Sequence, residues 1–305
     1  INDHKFFLIT KEKDHIHHDY VILINKRTQV LKIFFELNKN KMIVLHGLFS
    51  NELATVLFFQ PWVLKRCYWV MHGGDFYFPE KQSWVKKQII KNISNLITYL
   101  KGDFEYVKNL YGAKGKYHEC FMYPSNLYKE HNLDTKDYNT LNIQVGNSAD
   151  PSNNQIEILE KIKKYKNKNI KIFAPLSYGG DQSYVDTVIS KGKEIFGEKF
   201  IPILKFMKSE EYLIFLGSID IAIFGHKRQQ AMGNIITLLG LGKKIYIRTS
   251  ITSWQFFKDI DVKLFDYNQL NLNRMDKIIK KDNSDKIKSY FSEEHYLKQL
   301  QSLLN

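Results

Sequence analysis

The sequence predicts an α/β protein of two domains, and three observations carry that reading. Short apolar runs alternate with amphipathic stretches along the chain. A polar, aperiodic stretch from Asn126 to Asn139 interrupts the alternation once, as a linker would. The length of 305 residues is about twice that of a common single domain.

The elements follow in order. Phe6 to Ile9, Tyr20 to Ile24, Met42 to Leu45, Cys67 to Met71, Ile93 to Leu100 and Leu141 to Val145 read as strands of a mainly parallel sheet with helical connections. Ser50 caps a helix through Asn51 to Phe59 that stops near Pro61, and Gln82 to Asn92 is another, with Val85, Ile89 and Ile93 at helical spacing. These elements make an N-terminal α/β domain, residues 1–135. After the linker come a strand to Val145, a helix Asn154 to Tyr165, a strand Ile170 to Pro175 and a helix Gln182 to Phe196. A strand at Ile201 and Ile203 follows, then a short helix Ser209 to Leu216 opened by Ser-x-x-Tyr. A strand Ile219 to Phe224, a helix Asn234 to Leu241 and a strand Ile245 to Arg248 complete the alternation. This pattern predicts a doubly wound domain, residues 140–290, with a closing helix in 291–305.

Composition narrows the class. With 44% hydrophobic and 14% aromatic residues, the chain has ample core material and is not disordered, collagen-like or coiled-coil. Cys67 and Cys120 are too few for a disulfide scaffold or a cysteine zinc site, which fits a reducing cytoplasm. The most apolar stretch, Leu53 to Val63, is broken by Thr55, Gln60 and Pro61, so no membrane-spanning helix is expected. The opening Ile1, Asn2, Asp3, His4 lacks the pattern of a signal peptide, and the start at Ile rather than Met raises the expectation of an incomplete chain. The 45 Lys and Arg against 32 Asp and Glu leave a formal charge of +13, which calls for an anionic partner: nucleic acid, an anionic leaflet or a phosphorylated substrate. Zinc-finger spacing, an aromatic RNA-binding motif and arginine-rich tracts are all missing, so nucleic acid ranks last.

In an open parallel sheet, ligands sit beyond the carboxyl ends of the strands, and four loops there carry candidate chemistry. His46-Gly47 follows one strand and His72-Gly73-Gly74-Asp75 the next. The glycines admit close backbone approach, and Asp75 is either a general base and hydroxyl ligand or the cap of a tight turn. His46, which titrates near neutrality, is a second proton-transfer candidate beside the alternative of a structural hydrogen-bonder. Gly146-Asn147-Ser148-Ala149-Asp150 leads into a helix, where small residues and orphan amides suit a phosphate, or else a local cap. It has neither a Walker ending nor the G-x-G-x-x-G pattern. Arg228-Gln229-Gln230-Ala231-Met232-Gly233-Asn234 opens another helix with a guanidinium at hand. Two such loops at one sheet edge suggest a nucleoside diphosphate.

Lysines cluster twice: Lys161, Lys163, Lys164, Lys166 and Lys168 after one helix, and Lys86, Lys87 and Lys91 on the helix that carries Trp84. The second group matches either a helix resting on an anionic leaflet or an ordinary solvated face.

Several of these stretches occur in the same order in one known family: His46-Gly47, Trp69 with His72-Gly73-Gly74-Asp75-Phe76-Tyr77, Gly102-Asp103, Tyr123-Pro124, Val145-Gly146-Asn147-Ser148 with Asp150 and Ser152-Asn153, Arg228-Gln229-Gln230 with Gly233, and Trp254-Gln255. By these the chain resembles glycosyltransferase family 56 over nearly its whole length. The resemblance implies a GT-B fold, two facing Rossmann-like domains with a cleft between them. The N-terminal one would hold a saccharide on a polyprenyl diphosphate, the C-terminal one a nucleotide sugar. It implies transfer of 4-acetamido-4,6-dideoxygalactose (Fuc4NAc) or a related deoxyamino-sugar from a dTDP or other nucleoside-diphosphate donor. The product would belong to bacterial surface polysaccharide, enterobacterial common antigen or O-antigen, made at the inner face of the cytoplasmic membrane by a peripheral enzyme. No metal or other cofactor is expected, because helix N-termini and basic side chains neutralise the leaving diphosphate.

Carried over by position, Gly146, Asn147, Ser148, Gly233 and Asn234 lie about the diphosphate with Arg228 nearby. Gln230 stands where many GT-B enzymes place an acid near the donor's sugar or ribose, and Tyr178 is the nucleobase candidate. Asp75 and His46 are the catalytic candidates, with Gly47, His72, Gly73 and Gly74 on the acceptor side. Three departures stand out: Ala231 replaces a glycine, His72 a tryptophan, and residues 1 to 9 match the family's second strand, so that the first strand, its loop and its helix are expected before Ile1. The alternative from another class is a sugar-nucleotide or anionic-glycan binding protein without turnover.

Overall fold

A computed structural model describes residues 4–9, 21–24, 29–130 and 139–304. The chain divides into two compact units, residues 1–122 with 303–305, and residues 123–302. Tyr20 and positions 131–138 of the expected linker lie outside the described residues. Residues 123–130 go with the second unit, because the Tyr128 amide donates to the Phe291 carbonyl at 3.0 Å and its ring fills the space over Gly240.

In the first unit, β1 (Phe6–Ile9) pairs in parallel with β2 (Val21–Ile24), and α1 (Val30–Lys39) follows with Ile33 and Leu37 turned inward one helical turn apart. A four-stranded parallel sheet in sequential order is built from β3 (Ile43–His46), β4 (Cys67–Val70), β5 (Asn95–Ile97) and β6 (Lys116–His118). Its connections are α2 (Asn51–Phe58), α3 (Trp84–Asn92) and α4 (Lys101–Tyr111). Ser50 and Ser83 cap α2 and α3 by accepting from Leu53 and Lys86 amides, each cap contributing about 1 kcal/mol. The core gathers Leu45, Leu57, Trp69, Ile89, Leu96 and Val107.

The expected strand Ile93 to Leu100 is shorter than the sequence suggests. Ile93 closes α3 by donating to Ile89, and Leu100 donates to the Thr98 hydroxyl in the turn that leads to α4, leaving three residues for β5. α4 itself was hidden by its charge, although Gly112 closes it in the left-handed region at φ 65°.

The second unit is a six-stranded parallel sheet of β7 (Leu141–Val145), β8 (Ile170–Pro175), β9 (Phe200–Ile203), β10 (Ile221–Ile223), β11 (Lys244–Ile247) and β12 (Phe265–Asp266). The order β12-β11-β10-β7-β8-β9 reverses between β7 and β10, as in dinucleotide-binding domains. Every residue of β10 and β11 is buried, so helices cover both faces. The helices are α5 (Gln155–Ile162), α6 (Gln182–Phe196), α7 (Ser209–Ser218), α8 (Met232–Gly240), α9 (Thr252–Asp259), α10 (Lys277–Tyr290) and α11 (Glu293–Leu304), the last of which belongs to this unit up to Ser302. α6 spans the residues its periodicity predicts, from the cap Asp181, which accepts from the Tyr184 amide, to Gly197. α7 starts differently: Glu211 accepts from the Lys208 amide, so the cap is Lys208 rather than Ser209. Among the described residues no helix is long and apolar enough to cross a membrane.

Candidate functional site

At the reversal point Val145 pairs with Ile223, so the loops that leave β7 and β10 emerge side by side. The first is Gly146-Asn147-Ser148 and the second runs through Gly225 and His226 to Gln230. Gly146 has φ 68°, and a Cβ there would lie 2.8 Å from Asn153 Oδ1, so a side chain is excluded both by conformation and by space. Asn153, fully buried, threads the first loop: its Oδ1 accepts from the Asn147 amide at 2.8 Å, and its Nδ2 donates to Ser148 Oγ at 3.0 Å and to the Asp150 carbonyl at 3.1 Å.

Cross-links tie the loops together. Ser152 Oγ donates to Gln230 Oε1 at 2.9 Å, Asn154 Nδ2 donates to the Gly225 carbonyl at 2.8 Å, and His226 Nε2 lies 3.0 Å from Asn153 Oδ1. Arg248, at the end of β11, donates to the same Gly225 carbonyl, pairs with Glu157 of α5 at 2.6 Å and lies over the Tyr267 ring. His226 is 1% exposed, and desolvation, helped by Arg228 and Arg248 and opposed by Asp150, pushes its pKa down to about 3. It is a neutral imidazole at physiological pH.

α8 opens beside these loops, two residues earlier than its periodicity suggests, at Met232. Ala231 caps it with φ 59°, the left-handed conformation that glycine adopts without strain. Gly233 in the first turn is exposed, and a Cβ there would meet nothing within 4 Å. The first amides of a helix lack acceptors within it, so open space over Gly233 is room for an anion facing them. Arg228 is half-buried with Nη1 donating to the Gln229 carbonyl, and Asn234 Oδ1 accepts from Tyr212. Tyr178, 49% exposed after β8, receives a long bond from Asn147 Nδ2 at 3.4 Å and meets Phe206 edge-on at 6.2 Å. Phe206 belongs to an apolar groove of about 540 Å³ with Leu204, Ile214 and Phe215. Thus Gly146, Asn147, Ser148, Tyr178, Arg228, Gln230, Gly233 and Asn234 all fall at one sheet edge of the second unit.

The catalytic and acceptor-side candidates form a second cluster, at the carboxyl ends of β3 and β4 in the first unit. Asp75 is completely buried there. Its Oδ2 accepts from the Leu48 amide at 2.9 Å and from Trp69 Nε1 at 2.8 Å, and its Oδ1 from the His72 amide at 3.1 Å. Burial pushes its pKa up and the three donors pull it back. Asp75 therefore presents no surface to an acceptor; it ties the loop after β3 to the loop after β4, which moves it from open base to positioning residue.

His46 and His72 are exposed beside it. Partial desolvation, then the charge of His72, hold the His46 pKa below its ordinary value. Phe49, 58% exposed, lies over Gly47 and Gly74 with its ring 5.9 Å from that of His72. Gly47 and Gly73 take φ 83° and 75° in the two turns.

Lys86 departs from the leaflet-facing reading. It is 8% exposed, and its pKa is lowered by desolvation and raised by Asp75, so it points into the unit. Trp84, by contrast, is 63% exposed against Phe58. The other lysine run is a solvated face: Lys163 pairs with Glu160, and Lys161 and Lys164 lie over the Tyr267 and Tyr165 rings. Both cysteines are free and buried, with the Cys67 thiol pushed up to about 12 by desolvation. Among the described residues no three His, Cys, Asp or Glu side chains group as a metal would require.

Sequence reasoning missed the inner frame, namely His226, Gly225, Gln155 and Arg248. Gln155 is fully buried and accepts from Tyr184 at 2.8 Å. The signal was present as a run of amides, Asn153-Asn154-Gln155, where an amphipathic helix should begin.

Comparison with solved structures returns the same architecture. WaaG, a glycosyltransferase involved in lipopolysaccharide biosynthesis, superposes with a TM-score of 0.61 at 11% identity over 99% of this chain and 90% of its own. An α,α-trehalose-phosphate synthase (UDP-forming) of Burkholderia xenovorans gives 0.65 at 9% identity, over 91% of this chain and 76% of its own. HepE of Anabaena, crystallised with UDP and glucose, gives 0.64 at 12% identity, over 93% and 84%. At such identities the likeness speaks for the fold, which is GT-B. The family model of the 4-alpha-L-fucosyltransferases, glycosyl transferase group 56, matches residues 3–305. The chain is a GT-B glycosyltransferase and a member of glycosyl transferase group 56.

Proposed function

We propose that the enzyme moves Fuc4NAc or a related deoxyamino-sugar from a dTDP or other nucleoside-diphosphate donor to a saccharide on a polyprenyl diphosphate. This is a step in enterobacterial common antigen or O-antigen synthesis. The observation that carries the donor half is the convergence of the Gly146–Ser148 loop and the open first turn of α8 at the sheet's reversal point. The diphosphate lies against those amides with Arg228 beside it, and the nucleobase sits by Tyr178 and Phe206. No metal is required, because the helix amides and the guanidinium stabilise charge as it develops on the leaving group.

His46 is the proposed base. Its lowered pKa keeps the imidazole neutral near pH 7, able to take the proton of the acceptor hydroxyl as that oxygen replaces the diphosphate at the anomeric carbon. Asp75, through Leu48 and His72, fixes the two loops that flank the base at the end of β3. Phe49, His72, Gly47, Gly73 and Gly74 form the acceptor side, the exposed ring suited to the apolar face of a sugar. The acceptor's lipid anchor and the +13 charge favour work at an anionic leaflet, with Trp84 and Lys91 exposed and Lys87 half-buried on that helix.

The test is release of nucleoside diphosphate from dTDP-, UDP- and GDP-sugars in the presence of polyprenyl-diphosphate-linked saccharides. Turnover should require donor and acceptor together and be lost in Arg228→Ala. Full turnover in that variant sinks the donor site, and donor binding without transfer to any lipid-linked acceptor sinks the acceptor reading.

A further inference from the structure

Asn153 is 0% exposed and its amide hydrogens are both committed, one to Ser148 Oγ and one to the Asp150 carbonyl. The opposite orientation would set its NH2 against the Asn147 amide, where two donors would face each other. Oδ1 is therefore the acceptor end, and His226 Nε2, 3.0 Å from it, can meet it only by donating. The imidazole is stacked at 5.9 Å and 19° on Phe224 and is packed beyond reach of water. Gly146 and Gly225 leave room for Asn153: a Cβ on Gly146 would lie 2.8 Å from its Oδ1, and one on Gly225 would lie 2.8 Å from its backbone carbonyl.

We propose that His226, held as the Nε2–H tautomer, fixes the Asn153 amide and through it the shape of the Gly146–Ser148 loop before any ligand arrives. His226 is then a positioning residue for donor binding, an inference that rests on the donor-site reading above. Burial and the flanking Arg228 and Arg248 keep the ring neutral against the pull of Asp150, in line with a donor that never gains a second proton at physiological pH. The loop's shape is preorganised, so the cost of ordering it is not deducted from the binding of the diphosphate.

Nitrogen-15 NMR of the ligand-free protein should show His226 as the neutral Nε2–H tautomer at pH 7; an Nδ1–H tautomer or an imidazolium overturns the proposal. His226→Phe keeps the stack on Phe224 and removes the donor. With dTDP and UDP as probes in calorimetry, it should weaken binding by about ten-fold, the scale of one buried hydrogen bond lost. Donor KM should rise with kcat changing less, and His226→Gln, which restores an N–H, should recover most of the affinity. Unchanged affinity in a folded His226→Phe overturns the proposal; should that variant not fold, the tautomer and His226→Gln decide. Arg228→Ala separates the two ideas: if it weakens dTDP and UDP binding and His226→Phe does not, the network fails alone. If neither variant affects binding, the donor-site reading fails first.

Discussion

Trp69 Nε1 donates to Asp75 Oδ2 at 2.8 Å inside the first unit, with both side chains fully buried. A carboxylate so enclosed acts on its neighbours rather than on a substrate. In Asp75→Asn one of the donors now at Asp75 must face an NH2, which costs about 3 kcal/mol when buried. The expected outcome is a clear fall in Tm together with loss of activity. A variant of unchanged Tm with kcat reduced a thousand-fold would return Asp75 to the role of base.

His46 gives the activity a pH profile of known sign. Its pKa is lowered by desolvation and by His72, so the neutral form that acts as base persists to more acid pH than for a free imidazole. The rate should rise with pH and reach its plateau at a lower pH than an ordinary imidazole would set. His46→Gln should abolish that limb and lower kcat by roughly 10² to 10⁴-fold. Measuring kcat from pH 5 to 8 in both forms decides.

Gly233 separates stability from function. Nothing stands where its Cβ would be, and glycine within a helix costs about 1 kcal/mol relative to alanine. Gly233→Ala should therefore keep or raise Tm, while the added methyl occupies the proposed phosphate seat and raises donor KM several-fold. Equal KM in the two proteins would move the diphosphate elsewhere.

Ala231 holds φ 59° at the start of the same helix. Ala231→Gly should relieve that strain and stabilise the second unit by about 1 kcal/mol, seen in chemical denaturation, with turnover retained. A loss of stability would show that the methyl group contributes more by packing than the backbone conformation costs.

What the sequence displayed and what it concealed follow from pattern strength. α6 was legible end to end because Asp181, the inward Val185, Val188 and Ile195, and Gly197 all mark the same boundaries. α10 left no apolar stripe: its buried positions are Asn283 and Ile287, and Asn283 serves the backbone of Lys263 at both its oxygen and its nitrogen. The loops after β7 and β10 could be placed because alternation puts them at one edge, whereas burial could not be read from residue type. Asp75 and Lys86 looked like surface chemistry and His226 like nothing at all, since only the packed unit shows which charges are enclosed.

The Asn153 amide, with every hydrogen committed and its oxygen shared by two donors, also bears on how this enzyme can change over generations. A substitution inside that knot that does not supply a matching donor or acceptor leaves a buried partner unmet, so inner residues drift only to polar equivalents or in concerted pairs. The rim is freer: Tyr178 and Phe206 stand exposed at 49% and 70%, and neither side chain bonds to the Asn153 amide. Novelty in donor choice should therefore accumulate at the rim, one residue at a time, over an interior that inheritance keeps intact.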